Sequence, residues 1–292
     1  DLNRLKIRYK AKSKELAAVK KERNVYIEKA ISFYFRSIAL DVKDQLESDV
    51  DRFCSLWIEH NDINIDEDEL LRLPTSCFVP WSNQLTSRLL DENTAFQNIL
   101  KKLIINISLS HPFHILYLIK SLIITKGESD DAAVASRGNV AESIWEILYR
   151  SIDEFNVEGV TNILESVEGF SDKAVTVANS KLKNTKKASI LKFPDGKWWV
   201  DTLPTLSLPS PVKNIPVQKH FPYRKEELPI ILRIDENIVI AASGVSHPKI
   251  MKMILSTGES QRMLLKAPDD LRQDSIMKQV FEKVNKLLWR NI

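Results

Sequence analysis

Cysteine is scarce in this chain: Cys54 and Cys77 are the only two among 292 residues, and they show no paired spacing. That excludes a disulfide framework and a Cys-rich metal site, and it suits a reducing intracellular compartment. A long uninterrupted apolar run is also missing. The most apolar stretch, residues 103–124, is broken by Asn106, His111, His114 and Lys120, so it is not a membrane span. Nor does one sign of charge dominate. The 42 Lys and Arg against 39 Asp and Glu leave +3, which does not by itself argue for nucleic acid. No signal peptide opens the chain. What is present, 43% hydrophobic and 28% charged residues, suits a soluble globular protein with one large or two ordinary domains. Asp1 begins without Met inside a helical pattern and Ile292 directly follows another, so an internal piece of a larger protein is expected.

Residues 1–185 are expected to be helical. Ala18, Val25, Ile27, Ile31, Phe35, Ile38, Leu40 and Val42 recur at three- and four-residue steps, and amphipathic runs follow at about 77–90, 94–108, 112–124, 140–152 and 157–167. Short polar connections join them. Residues 126–139, rich in Gly, Ser and Asp, read as a mobile loop. Successive helices with short turns suggest an α-solenoid, although no clean internal period is visible. Residues 186–229 form a linker in which Pro194, Gly196, Pro204, Pro209, Pro211 and Pro216 favour extended chain. Residues 230–292 then carry four strand-like runs, 230–234, 238–242, 250–255 and 263–266, and an amphipathic helix over 269–289. The fold class expected is mostly α: a helical solenoid followed by a small α+β module.

The chemistry concentrates at Lys266. A lysine closing the apolar run Met263-Leu264-Leu265 places one fixed positive charge at a strand end. A helix starting a few residues later adds free backbone N–H groups, and acids that can hold the lysine. A nucleoside triphosphate needs such a place, because phosphoryl transfer depends on positioning and charge neutralisation. The segment 242–249 lies between two strand-like runs, where Gly244 permits close backbone approach and Ser243 or Ser246 has a hydroxyl to donate to phosphate. Other features read as structural. His111-Pro112-Phe113-His114 has no third metal ligand nearby and is a helix start with Pro112 in its first turn. The basic stretch 4–23 reads as a solvated helix face, and the acidic loop 62–69 lacks metal-cage spacing. Trp198-Trp199 reads as an anchor at the lobe boundary.

The string Lys266-Ala267-Pro268-Asp269-Asp270-Leu271-Arg272-Gln273-Asp274 resembles the Lys-x-x-Asp/Glu-Asp-Leu-Arg-Gln-Asp signature of the phosphatidylinositol-3-kinase-related kinases. Ala267-Pro268 departs from the usual Gly-x, and proline at a helix start is acceptable. Gly244-Val245 with Pro248-Lys249-Ile250 looks like the ATM branch of that family, including its fungal orthologues. Phe78-Val79-Pro80-Trp81, Gln84-Leu85 and the stretch from Leu103 to His114 resemble the late FAT segment of ATM-type kinases.

The resemblance implies a FAT-type helical repeat region over 1–185 and a truncated kinase small lobe over 230–292. It assigns ATP contacts to Lys266, to Ser243, Gly244, Val245, Ser246 and Pro248, and to Asp269 or Asp274 as the acid that orients the lysine. It implies ATP and Mg²⁺, with the catalytic base and metal ligands in segments outside these residues, so the piece alone is expected to be inactive and to hold no metal. It further implies Ser/Thr-Gln protein substrates, double-strand-break signalling and telomere maintenance. A nuclear homodimer recruited by a break-sensor complex is implied too, with DNA contact indirect and no membrane. A phosphoinositide kinase sharing the lysine signature and a non-catalytic helical scaffold stay open as alternatives.

Overall fold

The computed structural model describes residues 2–40, 45–127, 130–155, 160–180, 190–192, 208–211, 215–219, 221–241, 247–266 and 272–289. Among the described residues, helix α1 (Leu2–Ala39) is buried only towards its C-terminal end, where Ile27, Ile31, Phe35 and Ile38 form one stripe. The basic stretch before them is exposed, as expected of a solvated helix. That stripe packs on α2 (Leu46–Glu59), which buries Val50, Phe53, Cys54 and Trp57. The ring of Phe53 packs against those of Phe35, Trp57 and Phe78, and Trp57 against Phe96, with centroids 5.0–6.1 Å apart. Burying each such side chain stabilises the fold by about 1.5–3 kcal/mol.

Short elements turn the chain at one corner: α3 (Glu67–Leu71), a 3₁₀ turn (Thr75–Trp81) and α4 (Ser82–Ser87). Sequence periodicity suggested one helix over about 77–90. Pro80 lacks an N–H, and the chain tightens into 3₁₀ geometry around it. Thr94 then caps α5 (Ala95–Ser110) by accepting from Gln97 N. Proline at the first position of α6 (Pro112–Thr125) separates it from α5, with His111 between them.

Helix α7 (Ala132–Phe155) begins inside the segment that read as a mobile loop. Asp131 opens the helix, its Oδ1 accepting from Ala133 N at 2.8 Å. At Gly138 an added Cβ would lie 2.6 Å from Lys126 Cβ, so glycine here lets α7 cross close to the end of α6. Helix α8 (Val160–Asn179) continues well past residue 167. Helices α5 to α8 pack on one another as a stacked array, the helical solenoid expected.

The sheet has β1 (Ile190–Lys192), β2 (Ile231–Ile234), β3 (Asn237–Ile240), β4 (Lys249–Leu255) and β5 (Ser260–Leu265), all paired antiparallel. Strands β2 and β3 are two halves of one interrupted strand. Both lie along the same edge of β4, β2 opposite Met253 to Leu255 and β3 opposite Lys249 and Ile250. Strand β5 takes the other edge of β4, and β1 adds to β3. Gly258, at φ +79°, closes the tight β4–β5 hairpin in a conformation that glycine adopts without strain. In the Pro-rich segment Pro209 bridges Ile230, and Ile231 N donates to Leu208 O at 2.9 Å. Helix α9 (Arg272–Trp289) follows β5.

Candidate functional site

Alternation along the strands gives the sheet two faces. Lys249, Met251, Met253 and Leu255 of β4, with Met263 and Leu265 of β5, are buried on one face, towards the array through α8. The other face is open. Its residues Val239, Ile250 and Leu264 pair across β3, β4 and β5 into one apolar row, with Leu264 half exposed. Because Lys266 is two residues past Leu264, the alternation carries it to this open face, where it is half-buried.

Register brings together two of the residues expected to contact phosphate. Lys249 pairs with Leu265, so Pro248 and Lys266 leave the hairpin side by side at the same end. Pro248 is half-buried, and the preceding His247 has φ +43°, a bend that few non-glycine residues adopt. Ser243, Gly244, Val245, Ser246 and Asp269 lie outside the described residues. Asp274 stands exposed in the first turn of α9.

Two features were not foreseen. The lysine of Pro248-Lys249-Ile250 faces inward, and its Nζ donates to Ala178 O in the last turn of α8 at 2.5 Å. Burial lowers its pKa, and the carbonyl end of the helix supplies the compensating negative potential. Lys249 therefore anchors the exit of the loop to the array, whereas Lys266 takes the open face, which Lys252 and Arg262 share. The apolar row was legible in principle, since Val239, Ile250 and Leu264 occupy alternate positions of three strands, but the row needs the register to assemble it.

The histidine pair is a joint. His111 is fully buried and uses both ring nitrogens, Nε2 with Thr75 Oγ1 at 3.0 Å and Nδ1 with the Tyr223 hydroxyl at 2.7 Å. Phe113 and His114 pack on Tyr223 as well, which fastens the segment before β2 to the start of α6. Among the described residues no group of three His, Cys, Asp or Glu could hold a metal ion, and no helix is long and apolar enough to cross a membrane.

A helical array covering one face of a small antiparallel sheet, with a strand-end lysine on the open face and a helix following it, has the layout of a kinase small lobe docked on a solenoid. No family profile matches the chain. It is 39% identical to the serine/threonine-protein kinase TEL1 of Candida albicans, over 98% of its own length and 10% of that protein's. Its structure matches the FAT and kinase domain of CtTel1 with a TM-score of 0.76 at 29% identity, covering 94% of this chain and 19% of that one. It also matches the complete C2-symmetric CtTel1 dimer, with a TM-score of 0.75 at 28% identity, covering 94% of this chain and 10% of that one. Along nearly its whole length the chain is thus homologous to TEL1 kinases, the yeast ATM orthologues among the phosphatidylinositol-3-kinase-related kinases. It spans about a tenth of the length of the curated relatives that it matches.

Proposed function

We propose that the chain is the joint between FAT helices and kinase small lobe of an ATP-dependent protein serine/threonine kinase. The observation that carries it is the placement of Lys266 on the open sheet face beside Pro248 and the Val239–Ile250–Leu264 row. An apolar row beside Lys266 suits a planar base with a phosphate tail. Lys266 would hold and orient the phosphates, Pro248 and the loop before it would cover them, and Asp269 or Asp274 would orient the lysine. Mg²⁺ supplies charge neutralisation at the transferring phosphate when bound, and its ligands belong to segments outside these residues. The 292 residues alone should therefore transfer no phosphate.

The finer reading extends the family likeness. Substrates are Ser or Thr followed by Gln, and the protein works in the nucleus in double-strand-break signalling, DNA repair and telomere maintenance. It is recruited by a break-sensor complex and reaches DNA indirectly. It works as a homodimer, which the dimeric state of CtTel1 supports.

The test uses the intact parent with a Ser-Gln peptide, the same peptide with Gln replaced, and a phosphoinositide. Transfer to the Ser-Gln peptide is expected, falling about a hundredfold or more in Lys266→Met, the effect of losing a charge-assisted phosphate contact worth a few kcal/mol. Transfer to the lipid instead would move the chain to the lipid-kinase reading. Absence of any Lys266-dependent transfer would leave a helical scaffold.

A further inference from the structure

The two sides of the chain around residues 242–247 are drawn together at one residue. Ala241 N, before the segment, donates to Pro248 O, after it, at 2.9 Å. One step along the ladder, Lys249 pairs with Ile240 of β3 on one side and with Leu265 of β5 on the other. The Lys249–Leu265 pair is the last of the β4–β5 hairpin, so the strand end that leads into Lys266 is fixed there too. Strand ends are where a ladder opens first. This end has a hold besides its backbone bonds, because Lys249 Nζ donates to Ala178 O at 2.5 Å. Ala178 lies in the last turn of α8, whose carbonyls have no donor within the helix. One side chain therefore joins the ends of three strands to the helical array.

Packing alone does not ask for a lysine here. The face it shares with Met251, Met253, Leu255, Met263 and Leu265 is otherwise apolar, and Lys249 is only 6% exposed. Burying an ammonium costs stability unless acceptors meet it. Among the described residues Ala178 O is its one acceptor. Methionine would fill nearly the same volume without that cost. What methionine lacks is direction: apolar surfaces slide past one another, whereas a hydrogen bond fixes a distance and an angle.

We propose that Lys249 is a positioning residue for the nucleotide site: bonded to the carbonyl end of α8, it holds the ladder end from which Pro248 and Lys266 emerge. The proposal rests on the kinase reading above. It makes the end of α8 the point at which the helical array sets nucleotide affinity. Each link in that path is a contact between described residues: a helix carbonyl, a lysine and its two cross-strand pairs.

The experiment measures Ser-Gln peptide phosphorylation by the intact parent, against ATP and against peptide concentration, for wild type, Lys249→Met, Lys249→Arg and Met251→Ala. Lys249→Met is expected to raise KM for ATP about three- to tenfold, part of the worth of one charge-assisted hydrogen bond, and to leave KM for the peptide unchanged. Its melting temperature should stay at the wild-type value, because losing the bond and no longer burying the charge oppose each other. Lys249→Arg keeps a donor and should restore most of the ATP affinity. Met251→Ala empties space on the same face without removing a polar bond, so it should lower the melting temperature and leave KM for ATP unchanged. Four results would overturn the proposal: a wild-type KM for ATP in Lys249→Met, no restoration by arginine, an equal rise in Met251→Ala, or a rise that only accompanies a lower melting temperature. If wild type transfers no phosphate to the peptide, the kinase reading falls and the proposal with it. If wild type does so and Lys249→Met matches it, the proposal alone falls.

Discussion

His114 sits in the first turn of α6 with Nε2 buried and without a hydrogen-bond partner, and burial pushes its pKa down to about 4 from 6.5. The folded protein therefore holds it neutral while the unfolded chain binds a proton between about pH 6.5 and 4. The unfolded state gains protons in that window, so stability is full above pH 6.5 and declines as pH falls towards 4, by about 3 kcal/mol at most. Urea unfolding midpoints at pH 7.5 and 5 should differ in wild type by more than in His114→Phe. Legibility at this scale was mixed. Lys266 could be picked out because its neighbours in sequence also form the signature around it. Lys249, with an equally suggestive setting, is turned inward by strand alternation onto a helix end that lies 71 residues back. One-dimensional context cannot tell these two lysines apart; the face each occupies does.

Elements follow local rules until another element comes close. Two helical glycines show the difference. Gly169 in α8 has nothing within 4 Å of an added Cβ, so Gly169→Ala should stabilise by about 0.5–1 kcal/mol through helix propensity. The same change at Gly138 meets Lys126 Cβ at 2.6 Å and should destabilise, since part of α6 or α7 must move. Denaturant unfolding of both variants checks the opposite signs. In the sheet, Asp235-Glu236-Asn237 looked like a separator between two strands. Asp235 N still donates to Lys252 O at 2.8 Å, and both halves stay on one edge of β4, so the polar residues mark an irregularity and not a hairpin.

At the scale of the molecule, polar joints distant in sequence hold the array and the lobe together, among them His111 with Tyr223, Lys249 with Ala178, and Asp51 with Lys283. Tyr223 is buried at the first of these, and its hydroxyl pKa is pushed up to about 12 by burial. Tyr223→Phe keeps the ring packing and deletes the bond to a fully buried imidazole, at a cost of about 1–2 kcal/mol. Calorimetry should show the lobe transition moving to lower temperature while the helical transition stays. By itself the sequence determined the helical array, the strand-like runs, the order of the two parts and the lysine signature, because periodicity, proline placement and a dense motif are local properties. Tertiary structure alone decided which face each strand residue takes, that Lys249 belongs to a helix end, and how α9 is held. Those outcomes depend on register and on contacts between residues up to 232 positions apart, for which no local pattern exists.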